Sequence, residues 1–362
     1  MRLAVVGTGL IGASAGLAAQ KAGISPVTGW DEDRDALDVA AERGAVEPAA
    51  SLADALRDAD LAFVAVPVAV LPSVVRAVLA AAPASCTVTD AGSTKTSVCA
   101  AAGTDPRFVG GHPICGAEVR GAARGSAELF EGATWFLTPL AATEPERYRA
   151  AHGLATSLGA RPVAIDPDSH DRLVAVTSHL PHALANLLVN QAGAGRVEGH
   201  DPLAAAGGAL RDMTRIAGAN PRIWIDIFLE NRDAVAAALA EHRRRIEQLE
   251  SALGQGDAGF VARWIGEASA NRRRMLESAY EDAGALHRVR VHIPDRPGVL
   301  AGIFQALGAA RINVSDFELE HLSPERGGTL TVFVTGEADA AAAGRLLEAQ
   351  GYGVVVAPVL ET

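Results

Sequence analysis

The segment RLAVVGTGLIGASAG, residues 2–16, narrows most sharply what this chain can fold into. A short apolar run reads as a buried strand. Gly7-x-Gly9-x-x-Gly12 comes directly after it and leads into an alanine-rich helical stretch. Each glycine has its own physical reason. Gly7 allows a tight turn, Gly9 lets the backbone approach a pyrophosphate, and Gly12 lets the helix pack close to a sheet. The first helical amides, around Leu10 and Ile11, have no intrahelical acceptor and present partial positive charge to phosphates. Glycine-rich turns are common, so the weight rests on the residues beyond the turn.

PVTGW, residues 26–30, reads as a second strand and leads into Asp31, about twenty residues beyond the last glycine, where an acid binds ribose hydroxyls. That carboxylate would repel a 2′-phosphate, so NAD is expected over NADP, with Arg34 nearby as an opposing charge. The alternative is that Asp31 only caps the helix in EDRDALDVAAERG. LAFVAVP, CTVTDAG, RFVGGHP, TWFLTP and RPVAID then recur with the rhythm of a doubly wound sheet, most separated by helical spacers. Polar residues gather after strand ends: Asp90, Ser93 and Lys95 in DAGSTK, His112 and Glu118 in GGHPICGAE. His112 comes after a strand and paired glycines. A histidine of near-neutral pKa suits taking a proton from an alcohol during hydride transfer, and Ser93 or Lys95 could orient it. Otherwise it only hydrogen-bonds a turn.

Charge and composition remove other classes. A net charge of −11 argues against a nucleic-acid partner, which needs a basic face. DLAFVAVPVAVLP is too short to cross a bilayer and is broken by Pro67 and Pro72, so no membrane partner is expected. The N-terminus enters a strand directly and does not read as a signal peptide. Cys86, Cys99 and Cys115 are odd in number and lack CxxC spacing, which fits a reducing compartment. The expectation is a soluble, cytoplasmic protein.

From about Asp166 the pattern turns helical. SHDRLVAVTSHLPHALANLLVNQA places Pro181 in the first turn of a helix that starts after Ser178. NPRIWIDIFLENRDAVAAALAEHRRRIEQLESAL reads as one long amphipathic helix, and DAGFVARWIGEASANRRRML as another. So much apolar helical surface suits a homodimer. Between these helices GGALRDMTRIAG carries Arg211 and Arg215 one turn apart, a setting for bidentate carboxylate binding. His179 and His182 flank Pro181 and read as metal ligands, acid–base groups, substrate contacts or core residues. A metal would need a third ligand, so none is expected.

HRVRVHIPDRPGVLAGIFQALGAARINVSDFELEHL, GGTLTVFVTG, DAAAAGRLLEAQG and YGVVVAPV stand in the order βαββαβ of a ferredoxin-like module. The expected architecture is an α/β Rossmann-type domain over residues 1–166, an all-α substrate and dimerisation domain over 167–284, and an α+β module over 285–362. DRPGVLAGIF and ARINVSDFELE resemble ACT domains. That resemblance implies pairing and an amino-acid effector bound near Gly298 and Asn313, or a purely structural dimerisation module.

VVGTGLIGASAG, DAGSTK, GGHPICGAE, SHDRLVAVTSHLPHALA and RDMTRIAGANPRIWIDIFLEN stand in the order seen in prephenate dehydrogenases, which the whole chain resembles. The resemblance implies NAD-dependent oxidative decarboxylation of prephenate in tyrosine biosynthesis. It implies that His112 deprotonates the ring hydroxyl, that Ser93 holds both that histidine and the nicotinamide end, and that Arg215 grips the substrate carboxylate. Ser178, His179 and His182 then line the substrate pocket, with His170 and Asp171 behind it or capping a helix. The loop CGAEVRG departs from the family, where many members carry polar residues in place of Ala117 and Val119. Glu118 would suit the ammonium of arogenate, so arogenate dehydrogenase is the alternative within the class. A β-hydroxyacid dehydrogenase would need a lysine in the helical part, but the chain has only Lys21 and Lys95. A cofactor-binding amino-acid sensor without turnover is the non-enzymatic reading.

Overall fold

Alternation on the first strand already shows where the core lies. Leu3 and Val5 of β1 (Leu3–Val6) enter one apolar cluster, whereas Ala4 and Val6 enter another. A strand buried on both faces belongs inside a sheet covered on both sides by helices. The computed structural model describes residues 1–115, 120–279, 285–323 and 327–359. They form two units, Met1–Arg243 and Arg244–Thr362.

In the first unit β1 is succeeded by α1 (Leu10–Lys21), β2 (Val27–Trp30), α2 (Arg34–Glu42), β3 (Glu47–Pro48) and α3 (Leu52–Leu56). Then come β4 (Leu61–Val64), α4 (Leu71–Ala81), β5 (Thr87–Asp90), α5 (Thr96–Ala102) and β6 (Phe108–Pro113). The sheet closes with β7 (Thr134–Pro139), α6 (Pro145–Ser157) and β8 (Arg161–Ala164). Its strand order is β3-β2-β1-β4-β5-β6-β7-β8, the doubly wound arrangement that the sequence rhythm predicts. Every pairing is parallel except β6 with β7, where Val109 faces Pro139 and His112 faces Phe136. That reversal is not visible in the spacing. Among the described residues between these strands the only helical element is the short 3-10 turn Ala122–Arg124, too little for a parallel crossover.

The helical part begins with α7 (Pro167–Val174), whose N-cap Asp166 accepts from the Ser169 amide. Pro181 lies in the first turn of α8 (Leu180–Gly193), as expected, but that helix does not start afresh. α7 continues through a π turn, Ala175–His179, into α8 (Leu180–Gly193). A proline lacks the amide donor and crowds the carbonyl four residues back, and one widened turn accommodates it. α9 (Gly208–Thr214), α10 (Pro221–Glu230), α11 (Arg232–Gln255) and α12 (Ala258–Ala279) come next. The single helix expected over α10 and α11 is interrupted at Asn231, whose buried side chain bonds inward rather than to solvent.

The remaining elements are β9 (Leu286–Ile293), α13 (Val299–Ala309), β10 (Asp316–Ser323), β11 (Gly327–Thr335), α14 (Glu337–Ala349) and β12 (Gly353–Pro358). They build an antiparallel sheet in the order β10-β11-β9-β12. Val289, Val291, Leu330 and Val332 on one sheet face pack against Ile303, Leu307 and Leu347 of the two helices. This is the ferredoxin-like order read from the sequence. No helix among the described residues is long and apolar enough to cross a membrane.

Candidate active site

The glycine turn has the geometry its spacing implies. Gly7 has φ of +90°, and a Cβ there would lie 2.5 Å from the Ala65 carbonyl oxygen. A Cβ on Gly12 would lie 1.9 Å from the Gly7 carbonyl oxygen, so the helix could not close on the strand. A Cβ on Gly9 would meet no protein atom within 4 Å. Gly9 therefore borders open space at the N-terminus of α1, where no side chain caps the first amides. Leu10 and Ile11 begin that turn, and their amides face a cradle that an anion fits.

Asp31 closes the cradle at the end of β2. Its Oδ2 accepts from the Thr8 amide at 2.5 Å and from the Thr8 hydroxyl at 3.1 Å. It does not cap α2, because Asp33 accepts from the Asp35 and Ala36 amides. Arg34, the opposing charge, gives its guanidinium to the carbonyls of Ala49 and Ala50.

At the end of β5, Asp90 and Lys95 form an ion pair with both side chains 0% exposed. Asp90 also accepts from the amides of Gly92 at 2.8 Å and Gly111 at 3.0 Å, and Lys95 donates to the Gly111 carbonyl at 2.6 Å. The pair thus pins the strand segment that ends in His112. The two glycines before His112 are demanded by crowding. A Cβ on Gly110 would sit 2.0 Å from Thr138 Oγ1, and one on Gly111 would sit 2.4 Å from the Asp90 carbonyl oxygen.

Lys95 is therefore not the group that orients His112. His112 Nδ1 lies 2.8 Å from His170 Nε2, and His170 Nδ1 lies 2.8 Å from Asp171 Oδ1. Asp171 in turn accepts from the Lys95 amide at 2.7 Å and the Thr96 amide at 2.8 Å, capping α5 from α7. Ser93 is half-buried in the same loop, but the Nδ1 of His112 belongs to His170. Burial, reinforced by His170, Lys95 and His179, holds His112 well below the usual histidine range, so the ring is neutral at physiological pH. Burial alone would raise the Asp171 carboxyl, but hydrogen bonds from His170 and the Thr96 and Lys95 amides hold it below the ordinary value.

The facing wall is helical. His179 is 1% exposed and interior, not at the pocket surface expected for it. Its Nδ1 accepts from Asn231 Nδ2 at 3.1 Å, and that amide also donates to the Asp171 carbonyl at 2.8 Å. Its ring lies edge-on to Trp224 and Phe228, and burial brings its pKa down to about 4. His182 stacks on Trp224 at a centroid distance of 3.6 Å, is half-buried, and has an Nδ1 without a hydrogen-bond partner among the described residues. Ser178 is half-buried in the π turn, and Arg215 is exposed at the C-cap of α9. Glu118 lies outside the described residues.

The expected site lacks the contact of His170 and Asp171 with His112, and it lacks Asn231 and Trp224 altogether. The adjacent histidine–aspartate pair is a signal, but nothing in its spacing shows that it reaches His112. In the last module Gly298 has φ of +89° at the N-cap of α13, and Asn313 is exposed.

Comparison with known proteins places the chain in one family. The family model for the nucleotide-binding domain of prephenate dehydrogenase matches residues 15–164, that for its dimerization domain residues 166–267, and that for the ACT domain residues 287–351. The prephenate dehydrogenase of Bacillus subtilis is 32% identical over 73% of this chain and 72% of its own length. The cyclohexadienyl dehydrogenase of Zymomonas mobilis is 31% identical over 75% and 94%. Among solved structures, the prephenate dehydrogenase of Aquifex aeolicus in complex with hydroxyphenyl propionate and NAD+ matches with a TM-score of 0.71. Its identity is 28%, over 76% of this chain and 98% of that one. Synechocystis arogenate dehydrogenase matches with a TM-score of 0.70 and 28% identity, over 76% and 100%.

Proposed function

The chain belongs to the prephenate dehydrogenase family, and from that premise we propose that it converts prephenate to 4-hydroxyphenylpyruvate by NAD-dependent oxidative decarboxylation, a step of tyrosine biosynthesis. The observation that carries this reading is His112. It is a half-buried imidazole, held neutral at the end of β6, in the same sheet whose first turn builds the anion cradle.

The residues fit NAD. The open space at Gly9, the free amides of Leu10, Ile11 and Gly12, and the Asp31 carboxylate match a pyrophosphate and an unphosphorylated ribose. Arg34 is turned to backbone carbonyls, which favours NAD over NADP. Bound NAD supplies the acceptor for the hydride. The chain handles the proton: the ring hydroxyl gives it to His112, and the carboxylate opposite leaves as carbon dioxide as the ring becomes aromatic. Ser93 holds the nicotinamide end, and Arg215 holds the substrate carboxylate by a bidentate pair. His182, stacked on Trp224, contacts the substrate beside Ser178, and His179 supports that wall from behind.

Arogenate is the second reading, favoured by the likeness to a Synechocystis arogenate dehydrogenase, with Glu118 as partner of its ammonium. We also propose a homodimer through the helical part, an amino-acid effector at the ACT module near Gly298 and Asn313, and a cytoplasmic setting. The intervals matched by the family models support the division at 1–166, 167–284 and 285–362. Initial rates with prephenate or arogenate, each with NAD or NADP, test the reading. Turnover of prephenate with NAD is expected. Turnover of arogenate alone would reassign the substrate, and turnover of neither would overturn the activity.

A further inference from the structure

Asp171, His170 and His112 form a line of two hydrogen bonds, each 2.8 Å long, that crosses from α7 to the end of β6. The protons on that line are set by its far end. An ionised carboxylate has only lone pairs, so the hydrogen between Asp171 and His170 sits on His170 Nδ1. With that one hydrogen on its ring, His170 has its lone pair on Nε2, and the hydrogen of the next bond sits on His112 Nδ1. The lone pair of His112 is left on Nε2. With a single hydrogen on the His170 ring, the opposite tautomer of His112 would place two lone pairs against each other in a part-buried bond.

We propose that His170 and Asp171 are positioning residues, which fix His112 as its Nδ1–H tautomer and hold its Nε2 lone pair as the base for the reaction. The assignment rests on the prephenate dehydrogenase reading above. In the step it serves, the substrate O–H bond breaks and an Nε2–H bond forms on His112. The resulting imidazolium keeps donating from Nδ1 to His170, whose own Nδ1–H stays on the Asp171 carboxylate. No proton need leave the line. The ends of the line are held independently: Asp171 by the Lys95 and Thr96 amides and, through its backbone carbonyl, by Asn231; His112 by the Asp90–Lys95 pair under Gly111. The other ionisable neighbours of His112 are Lys95 and His179, both fixed by hydrogen bonds of their own.

The test compares H170L with H170Q in the full-length protein, using prephenate and NAD. A glutamine carbonyl can accept from His112 Nδ1, but a leucine cannot. H170L should lose kcat on the order of 100-fold, with KM for both substrates and NAD affinity close to wild type. H170Q should regain about tenfold or more of the loss. Wild-type kcat in H170L, or equal loss in both variants, overturns the assignment while leaving the reaction intact. Should H170L fail to fold, histidine ring-nitrogen NMR of the wild type reads the tautomer directly, with H112N identifying the signal. A protonated Nδ1 and bare Nε2 on His112 at neutral pH is expected, and the reverse pattern overturns the proposal. A wild type that turns over no prephenate contradicts the reaction reading instead, and the NMR result still judges the tautomer.

Discussion

The two walls of the site are built on opposite terms. Around the end of β6, Asp90, Lys95, the Nδ1 of His112, and His170 and Asp171 of α7 meet one another's hydrogen-bonding needs inside the protein. On the helical side, His182 stacks on Trp224, Ser178 is half-buried and Arg215 is exposed. The first group is fixed before any ligand arrives, with only the Nε2 of His112 left for the reaction, as preorganised chemistry requires. The second presents a half-buried aromatic stack and an exposed guanidinium, the kind of surface that recognises a substrate. Chemistry and recognition are thereby separated, and mutations should separate them too.

The largest expected effect is on stability. K95M leaves Asp90 charged, buried and unpaired, which should cost about 3–5 kcal/mol in denaturant unfolding. A loss below about 1 kcal/mol would show that the sheet-side wall is not held by that pair. H112N comes next. It should lower kcat on the order of 1,000-fold while calorimetric NAD affinity is unchanged, since the cradle lies at β1 and β2.

The third prediction concerns pH. His179 titrates near 6.5 when unfolded and at about 4 when folded. Between those values the unfolded chain binds a proton that the folded chain refuses. The stabilisation is therefore full above about pH 6.5 and lost as pH falls toward 4, by up to about 3 kcal/mol. H179Q, which can still accept from Asn231, should flatten that acid slope in unfolding experiments. An unchanged slope would mean that His179 is not held neutral. The smallest effect is on the helical wall. R215A should raise KM for prephenate about tenfold with a smaller change in kcat, and an effect confined to kcat would move Arg215 out of ground-state recognition.

What can be read from sequence depends on how local each interaction is. Gly7, Gly9 and Gly12, the strands from PVTGW to RPVAID and the βαββαβ order of the last module are legible because each is set by residues close in sequence. The antiparallel turn from β6 to β7 is not legible, since its direction depends on what a connection lacks. Nor is the π turn before Pro181, because a helix can absorb a proline by widening as readily as by ending. The break at Asn231 comes from a partner 60 residues away. His112 can be picked out from its own strand, yet the group on its Nδ1 is not in the nearest loop, with Ser93 and Lys95. That group lies in α7, 58 residues on. The buried line from Asp171 to His112 is a tertiary fact, and no periodicity encodes it.

The pH dependence of kcat/KM for prephenate with NAD, in wild type and H112N, tests the central claim most directly. A neutral, half-buried His112 acting as the base predicts an acid limb below the ordinary histidine range in the wild type, and its disappearance in the residual activity of H112N. The same acid limb in both proteins would contradict it and place the base elsewhere.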